Sequence, residues 1–159
     1  MKHLPKHLRP RWRYLAVGLE TWPDAAFGRR DFQGALWHAG RALLGDPGSA
    51  DADLRVLSFD LADGYGEAVV RVRRGTVDPA RAAVACVADV DGHPVRVRVR
   101  GVSGTVRACE EKYMGGPTET PDENRVVFRN ADRRAVVRDG LVDVEIDGRF
   151  TGATRLDIE

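Results

Sequence analysis

Residues 95–114 read VRVRVRGVSGTVRACEEKYM. Val95, Val97 and Val99 alternate with Arg96, Arg98 and Arg100, the period-two pattern of a strand with one buried and one polar face. Gly101 and Gly104 flank a turn, and Ser103 is the expected N-cap of the helix that follows. Val102, Val106, Cys109 and Tyr113 recur at i, i+4, i+7 and i+11, one apolar stripe, while Arg107, Glu110, Glu111 and Lys112 fall off it.

Working outward, the same two periodicities organise the chain upstream. Residues 12–21 predict a strand in which Leu15, Val17 and Leu19 alternate with Tyr14, Ala16 and Gly18. Residues 28–44 predict a helix, with Phe32, Leu36, Ala39 and Leu43 at helical spacing and Gly45-Asp46-Pro47-Gly48 as its stop. Residues 53–61 and 66–73 are strand-like, joined at Asp63-Gly64, a hairpin turn signal. Asp78 and Pro79 are expected to open a second helix, as N-cap and first helical residue, which runs to Asp91-Gly92. The order is β-α-β-β-α-β followed by an extra helix. It predicts an α+β domain of the ferredoxin-like or RNA-recognition-motif type, a four-stranded antiparallel sheet with helices packed on one face.

The organisation expected is a basic arm over 1–11, the α/β domain over 12–114, a linker over 115–124 and a β-rich extension over 125–159. The arm is broken by Pro5 and Pro10, and the linker has a turn-rich composition. In the extension RVVFR, RRAVVR, LVDVEI and RFTGAT read as short strands. Asn130-Ala131-Asp132, Asp139-Gly140 and Asp147-Gly148 are the expected turns, and Val142, Val144 and Ile146 share a face. Four short strands need the main domain to pack on.

The 159 residues suit one domain with an appendage, and a hydrophobic share of 43% can build an ordinary core. No apolar run of transmembrane length and no signal peptide is legible, so a cytoplasmic protein is expected. Cys86 and Cys109 are far apart, lack zinc spacing and read as two small buried hydrophobes. The net charge is only +1, yet it is uneven. Residues 1–114 carry 18 basic against 14 acidic groups, and residues 115–159 carry 7 against 10. Such asymmetry suggests a basic surface for a polyanion and an acidic tail elsewhere. Arginine outnumbers lysine 22 to 3 and aspartate outnumbers glutamate 16 to 8, which fits either a GC-rich genome or a salty cytoplasm.

On the strand face opposite the valines, Arg96, Arg98 and Arg100 would stand about 7 Å apart, close to phosphate spacing along RNA. Arg71 and Arg73 repeat the pattern opposite Val70 and Val72, so two strands are expected to place five guanidinium groups on one surface. Arginine suits the task because its planar fork holds phosphate at two points. The bland alternative is a solvated face paired with Asp60 and Glu67. The Ser103-Gly104-Thr105 turn at a helix N-terminus exposes backbone N–H groups that can hold an anion. Gly64-Tyr65-Gly66 partly echoes an aromatic RNA-binding stretch, but Asp63 and Glu67 stand where a basic and an aromatic residue belong, so it reads as a hairpin turn. Trp12 and Tyr14 could stack a base or pack on the sheet. No nucleophile, acid–base pair or metal cluster assembles. His3 and His7 lie in the arm, and His38 reads as a surface or packing residue.

VRGVSGTVRACEEKY resembles the C-terminal signature of the ribonuclease P protein component 2 family. PKHLRPRWRYLAVGLE is similar to that family's opening, and Ala35 to Gly45 resembles its first long helix. The resemblance covers about residues 4–114. It implies a protein subunit of the RNA enzyme that removes the 5′ leader of transfer-RNA precursors, with an RNA-recognition-like fold. The implied partners are ribonuclease P RNA, protein component 3 and, indirectly, precursor tRNA. Magnesium would sit on the RNA, and no catalytic residue, cofactor or metal is expected on the chain itself. The RNA-binding candidates are Arg9, Arg11, Arg13, Arg71, Arg73, Arg96, Arg98, Arg100, Ser103, Gly104, Thr105 and Arg107. The tail from Gly115 onward has no counterpart in the family's core, and the chain is less basic than its role demands. In a salty cytoplasm counterion release gains little, and a few placed arginines with a partner protein would carry the binding. Two other readings stand beside this one, a generic RNA-binding module of another ribonucleoprotein and a ferredoxin-like small-molecule regulatory domain.

Overall fold

A computed structural model describes residues 4–115 and 121–158. Along the chain run β1 (Trp12–Glu20), α1 (Arg29–Ala52), β2 (Arg55–Ala62), β3 (Tyr65–Arg73), α2 (Val77–Ala85), β4 (Asp89–Val90), β5 (His93–Pro94), β6 (Arg96–Ser103) and α3 (Val106–Tyr113). They are followed by β7 (Asp122–Phe128), β8 (Ala131–Arg138), β9 (Leu141–Ile146) and β10 (Arg149–Thr154). The four long strands of the first part form one antiparallel sheet in the order β2-β3-β1-β6, the arrangement that the β-α-β-β-α-β pattern predicts.

The apolar half of the strand alternation builds the core. Leu15, Val17 and Leu19 of β1 and Val70 and Val72 of β3 point to one face, where they bury against Phe32 and Leu36 of α1 and Ala80, Ala83 and Val84 of α2. Val97, Val99 and Val102 of β6 pack at the edge of this cluster. Each buried valine, leucine or phenylalanine contributes about 1.5–3 kcal/mol, which makes this face the main source of stability. No described helix is long and apolar enough to cross a membrane.

The first helical segment of α1 stops at Gly45 as expected, since its φ of +71° is non-helical; a second segment then restarts around Pro47, where a missing N–H costs little, and runs to Ala52. Two local expectations are corrected. α2 is capped by Thr76 rather than Asp78 and ends at Ala85, because Asp91-Gly92, both at positive φ, closes the β4–β5 hairpin instead of ending a helix. Cys86 is therefore exposed, while Cys109 is buried as expected.

α3 lies on the face of the sheet opposite α1 and α2. Cys109, with Tyr14, Tyr113 and Met114, covers Ala16 and Val69 midway along β1 and β3. The Tyr113 ring rests on Gly101, where any side chain would occupy the ring's own space. The N-cap of α3 is Thr105, whose Oγ1 accepts from the Ala108 N–H at 3.1 Å; Ser103 stays in β6, paired with Tyr14.

The last four strands form a meander in the order β10-β9-β8-β7. β7 starts at Asp122, inside the stretch expected as linker, whose residues 116–120 lie outside the described residues. Arg129 and Asn130, both at positive φ, make the first turn, so Ala131 already belongs to β8; Asp139-Gly140 and Asp147-Gly148 turn as expected. Val142, Val144 and Ile146 share a face with Val126, Phe128, Ala135 and Ala153. The opposite face docks on the sheet, where Phe150 meets the Trp22 ring edge-on at 5.1 Å between centroids.

Candidate nucleic-acid interface

α3 divides the arginine-bearing face into two ends. At the first end β1 begins, β3 finishes and β6 finishes. Trp12 pairs with Arg73, and Tyr14 lies between Arg71 on one side and Ser103 on the other. The Arg71 guanidinium lies 3.9 Å from the centre of the Trp12 ring and that of Arg73 5.9 Å, a cation–π arrangement that fixes both cations at one end of the two central strands. The Arg74 N–H donates to the Arg11 carbonyl at 2.8 Å, which ties the basic arm to the end of β3. The arm then makes a short 3-10 turn, Lys6–Leu8, and Arg9 closes it by donating to the Leu4 carbonyl at 2.8 Å. Arg13 donates to the Trp12 carbonyl at 3.1 Å.

Arg9, Arg11, Arg13, Arg71, Arg73, Ser103, Gly104, Thr105 and Arg107 thus gather at one end. Among the described residues, Arg107 alone of these arginines pairs with a carboxylate, that of Glu111 at 2.8 Å on the exposed surface of α3. Arg55, opposite Arg71 on β2, and Arg74 join the group. Sequence reasoning passed over both. The doubled Arg73-Arg74 before Gly75 was a usable signal, whereas Arg55 is placed only by the strand register.

Arg96, Arg98 and Arg100 lie toward the other end, with Arg98 about 13 Å and Arg96 about 20 Å along β1 from Arg71. The expectation of five guanidinium groups on one surface therefore does not hold, for three physical reasons. α3 crosses the middle of the face. The β1–β6 register shifts between Ala16 and Val17, leaving Arg100 as the unpaired residue of a bulge, which turns it over Gly18. The meander engages Arg96, which stays partly exposed while its Nη1 donates to Asp143 at 3.0 Å. Arg98 alone of the three is exposed and without a salt bridge among the described residues.

Arg100 holds structure together. It donates to Glu67 Oε1 at 3.3 Å and to the carbonyls of Tyr113 and Gly115 at 3.2 Å each, a cation at the C-terminus of α3. Glu67 also accepts from the Gly115 N–H at 2.9 Å. Tyr65 sits under Arg100, at 5.2 Å, and burial pushes its hydroxyl above the ordinary range although Arg100 pulls it down. Asp60, the other acid weighed as a partner, makes no salt bridge among the described residues.

Asp63 and Gly64, both at positive φ, make a hairpin turn, as the sequence reading has it. Trp12 packs under Arg71 and Tyr14 under α3. His38 is exposed. Among the described residues no group of three or more His, Cys, Asp or Glu is placed to hold a metal.

The sequence model of the Rpp14/Pop5 family matches residues 13–114. A protein of Haloarcula marismortui named ribonuclease P protein component 2 is 64% identical over 159 residues, 99% of each chain. A protein of the same name from Halorubrum lacusprofundi is 61% identical over the whole of both chains. One from Methanosarcina mazei is 33% identical over 114 residues, which is 72% of this chain but 93% of that one. The family match ends at the close of α3, and the shorter relative leaves little length for a counterpart of the meander.

Proposed function

This chain belongs to the Rpp14/Pop5 family, and we propose that it serves as a protein subunit of ribonuclease P, the RNA-based endoribonuclease that removes the 5′ leader from precursor tRNA. The observation that carries the proposal is the full-length similarity, at 64% identity, to a protein bearing that name. Cleavage itself belongs to the RNA and the magnesium bound to it. The chain acts in the cytoplasm and, together with protein component 3, screens phosphate repulsion in the catalytic domain of the RNA and favours its active conformation.

The geometry supports a division of labour among the arginines. Arg71 and Arg73 stack on Trp12 and Arg11, Arg13 and Arg74 stand at the same end of the sheet, with no carboxylate paired to any of them among the described residues, so they can take phosphates without first breaking an ion pair. The Gly104-Thr105 turn at the start of α3 adds free backbone donors beside them. The Arg96 and Arg100 end is spent on holding the meander and α3.

The test is leader removal from a transfer-RNA precursor, reconstituted with ribonuclease P RNA and component 3 at moderate magnesium, with and without this chain. Cleavage that depends on the chain supports the proposal. Cleavage indifferent to it leaves only a generic RNA-binding module.

A further inference from the structure

On the helix side of the sheet, away from the arginine face, a groove of about 520 Å³ runs between α1 and the segment joining α2 to β4. Its wall is apolar, with Ala39, Leu43 and Val87 in it, and Leu43 is nearly half exposed. Three carboxylates, Asp31, Asp89 and Asp91, line it against one cation, Arg149 of the meander. None of the three carboxylates makes a salt bridge among the described residues.

We infer that this groove docks a basic segment of a protein partner, apolar on the side it presents to Leu43 and cationic at its flanks. The inference rests on the reading of the chain as one subunit of a larger ribonucleoprotein. Charge decides the occupant. An RNA strand entering the groove would meet three carboxylates at short range and no cluster of cations. A basic peptide would gain complementary charge around a dry apolar strip, the layout of a specific protein interface. The three carboxylates of the groove and the arginines stacked on Trp12 lie on opposite faces of the sheet, so the chain can sit between RNA and a basic protein.

The groove carries its own reporter. Cys86 lies in its lining and is exposed, whereas Cys109 is buried and burial pushes its thiol above the ordinary range. Alkylation by iodoacetamide therefore reads Cys86 first, and a Cys86→Ser chain supplies the background rate. The rate is measured on the free chain, on the chain with ribonuclease P RNA alone, and on the holoenzyme assembled from the RNA and its protein subunits, with leader removal assayed in the same samples.

The expected result is alkylation slowed at least about tenfold in the holoenzyme and unchanged by RNA alone, as a desolvated interface requires. Ala42→Arg, which plugs the groove from the surface of α1, and Asp89→Lys with Asp91→Asn, which reverses its charge, should each restore the free-chain rate. Unprotected Cys86 in a holoenzyme that depends on the chain for cleavage overturns the docking proposal alone. So does protection by RNA alone, or protection in the free chain that grows with its own concentration and marks a second copy as the occupant. Protection that survives both sets of substitutions also overturns it. Cleavage indifferent to the chain overturns the subunit reading and the docking proposal with it, and the cleavage assay identifies that case directly.

Discussion

The Arg96 guanidinium donates to the Asp143 carboxylate at 3.0 Å across the join between the sheet and the C-terminal meander. Arg138 stands 3.7 Å from the other carboxylate oxygen and donates to the carbonyls of Thr21 and Gly64. Beside this cluster Trp22 is held between the Phe150 ring and the Arg134 guanidinium, which lies 4.1 Å from its centre. Asp143 is almost fully buried, so its removal leaves Arg96 and Arg138 facing each other with Glu20, which makes no salt bridge among the described residues, as the nearby acid that remains. Asp143→Ala should lower the free energy of unfolding by about 3–5 kcal/mol. Asp143→Asn should cost less, because the amide oxygen can still accept from Arg96. Urea unfolding followed by tryptophan fluorescence checks both, and a loss below about 1 kcal/mol for the alanine variant would show that the meander is held by Trp22 and Phe150 instead.

The pH dependence of the join has an unusual sign. Burial raises the Asp143 carboxyl above the ordinary carboxylate range, and Arg96 and Arg138 only partly offset it. The folded state therefore holds the Asp143 proton more tightly than the unfolded chain does. The resulting stabilisation is fully present below the unfolded value of about 4 and is lost as pH rises through the folded value. The stability of the native chain relative to Asp143→Asn should accordingly be greatest in acid and decline toward neutrality. Unfolding curves of the two proteins at several pH values test this. A difference that instead grows with pH would mean that the ion pairs outweigh desolvation.

What could be read from the sequence follows from how local each feature is. The Val-Arg alternation of β6 and β3 is written in consecutive residues, and so are the sheet, its buried face and the hairpins at Asp63-Gly64, Asp139-Gly140 and Asp147-Gly148; Asp91-Gly92, expected to end a helix, turns the short β4–β5 hairpin instead. The choice of cap was not local. Thr76 rather than Asp78 starts α2 because its hydroxyl donates to the Arg73 carbonyl at 2.7 Å, a turn fixed by where β3 ends. Thr105 displaces Ser103 because Ser103 is still paired with Tyr14. The bulge at Arg100 inserts a single residue, which no periodicity reports, and it moves that side chain from a shared cationic face to the C-terminus of α3. Asp143 reads in LVDVEI as an outward polar residue of an exposed strand. Only the docking of the meander makes it a buried counter-charge to Arg96.

Gly101 is required by Tyr113 rather than by backbone conformation. Its hydrogen faces the tyrosine ring at the point where α3 crosses the sheet. Gly101→Ala should destabilise the protein by about 1–3 kcal/mol through overpacking. Shortening the opposing side chain should recover part of that loss, so the Gly101→Ala, Tyr113→Leu double variant should be more stable than the sum of the single effects. Additive effects would mean that α3 shifts freely over the sheet and makes no fixed contact with it.

The capping assignment gives a sharper comparison between neighbours. Thr105→Ala removes the side-chain acceptor of the Ala108 N–H and should cost about 1 kcal/mol. Ser103→Ala removes a hydroxyl with no hydrogen bond among the described residues and should stay within about 0.5 kcal/mol. Denaturant unfolding and amide exchange at Ala108 separate the two, and equal losses would place the start of α3 at Ser103 after all.

The two ends of the arginine face should differ in how salt affects RNA binding. Arg73 and Arg74 are exposed and unpaired among the described residues, so each can neutralise a phosphate and release counterions. Replacing both with alanine should weaken affinity for ribonuclease P RNA and flatten the dependence of log affinity on log salt by about 1 per contact removed. Arg71→Ala should add a second effect, because it uncovers Trp12, whose ring it stacks on at 3.9 Å. Arg100→Ala should leave the salt slope unchanged while it lowers stability, since its partners are Glu67 and the last carbonyls of α3. Filter binding of the full chain over a range of potassium chloride, with urea unfolding in parallel, measures both quantities. A slope that falls for Arg100→Ala and not for the Arg73 and Arg74 pair would move the RNA to the opposite end of the sheet, and the meander beside Arg96 would then become part of the RNA-binding surface.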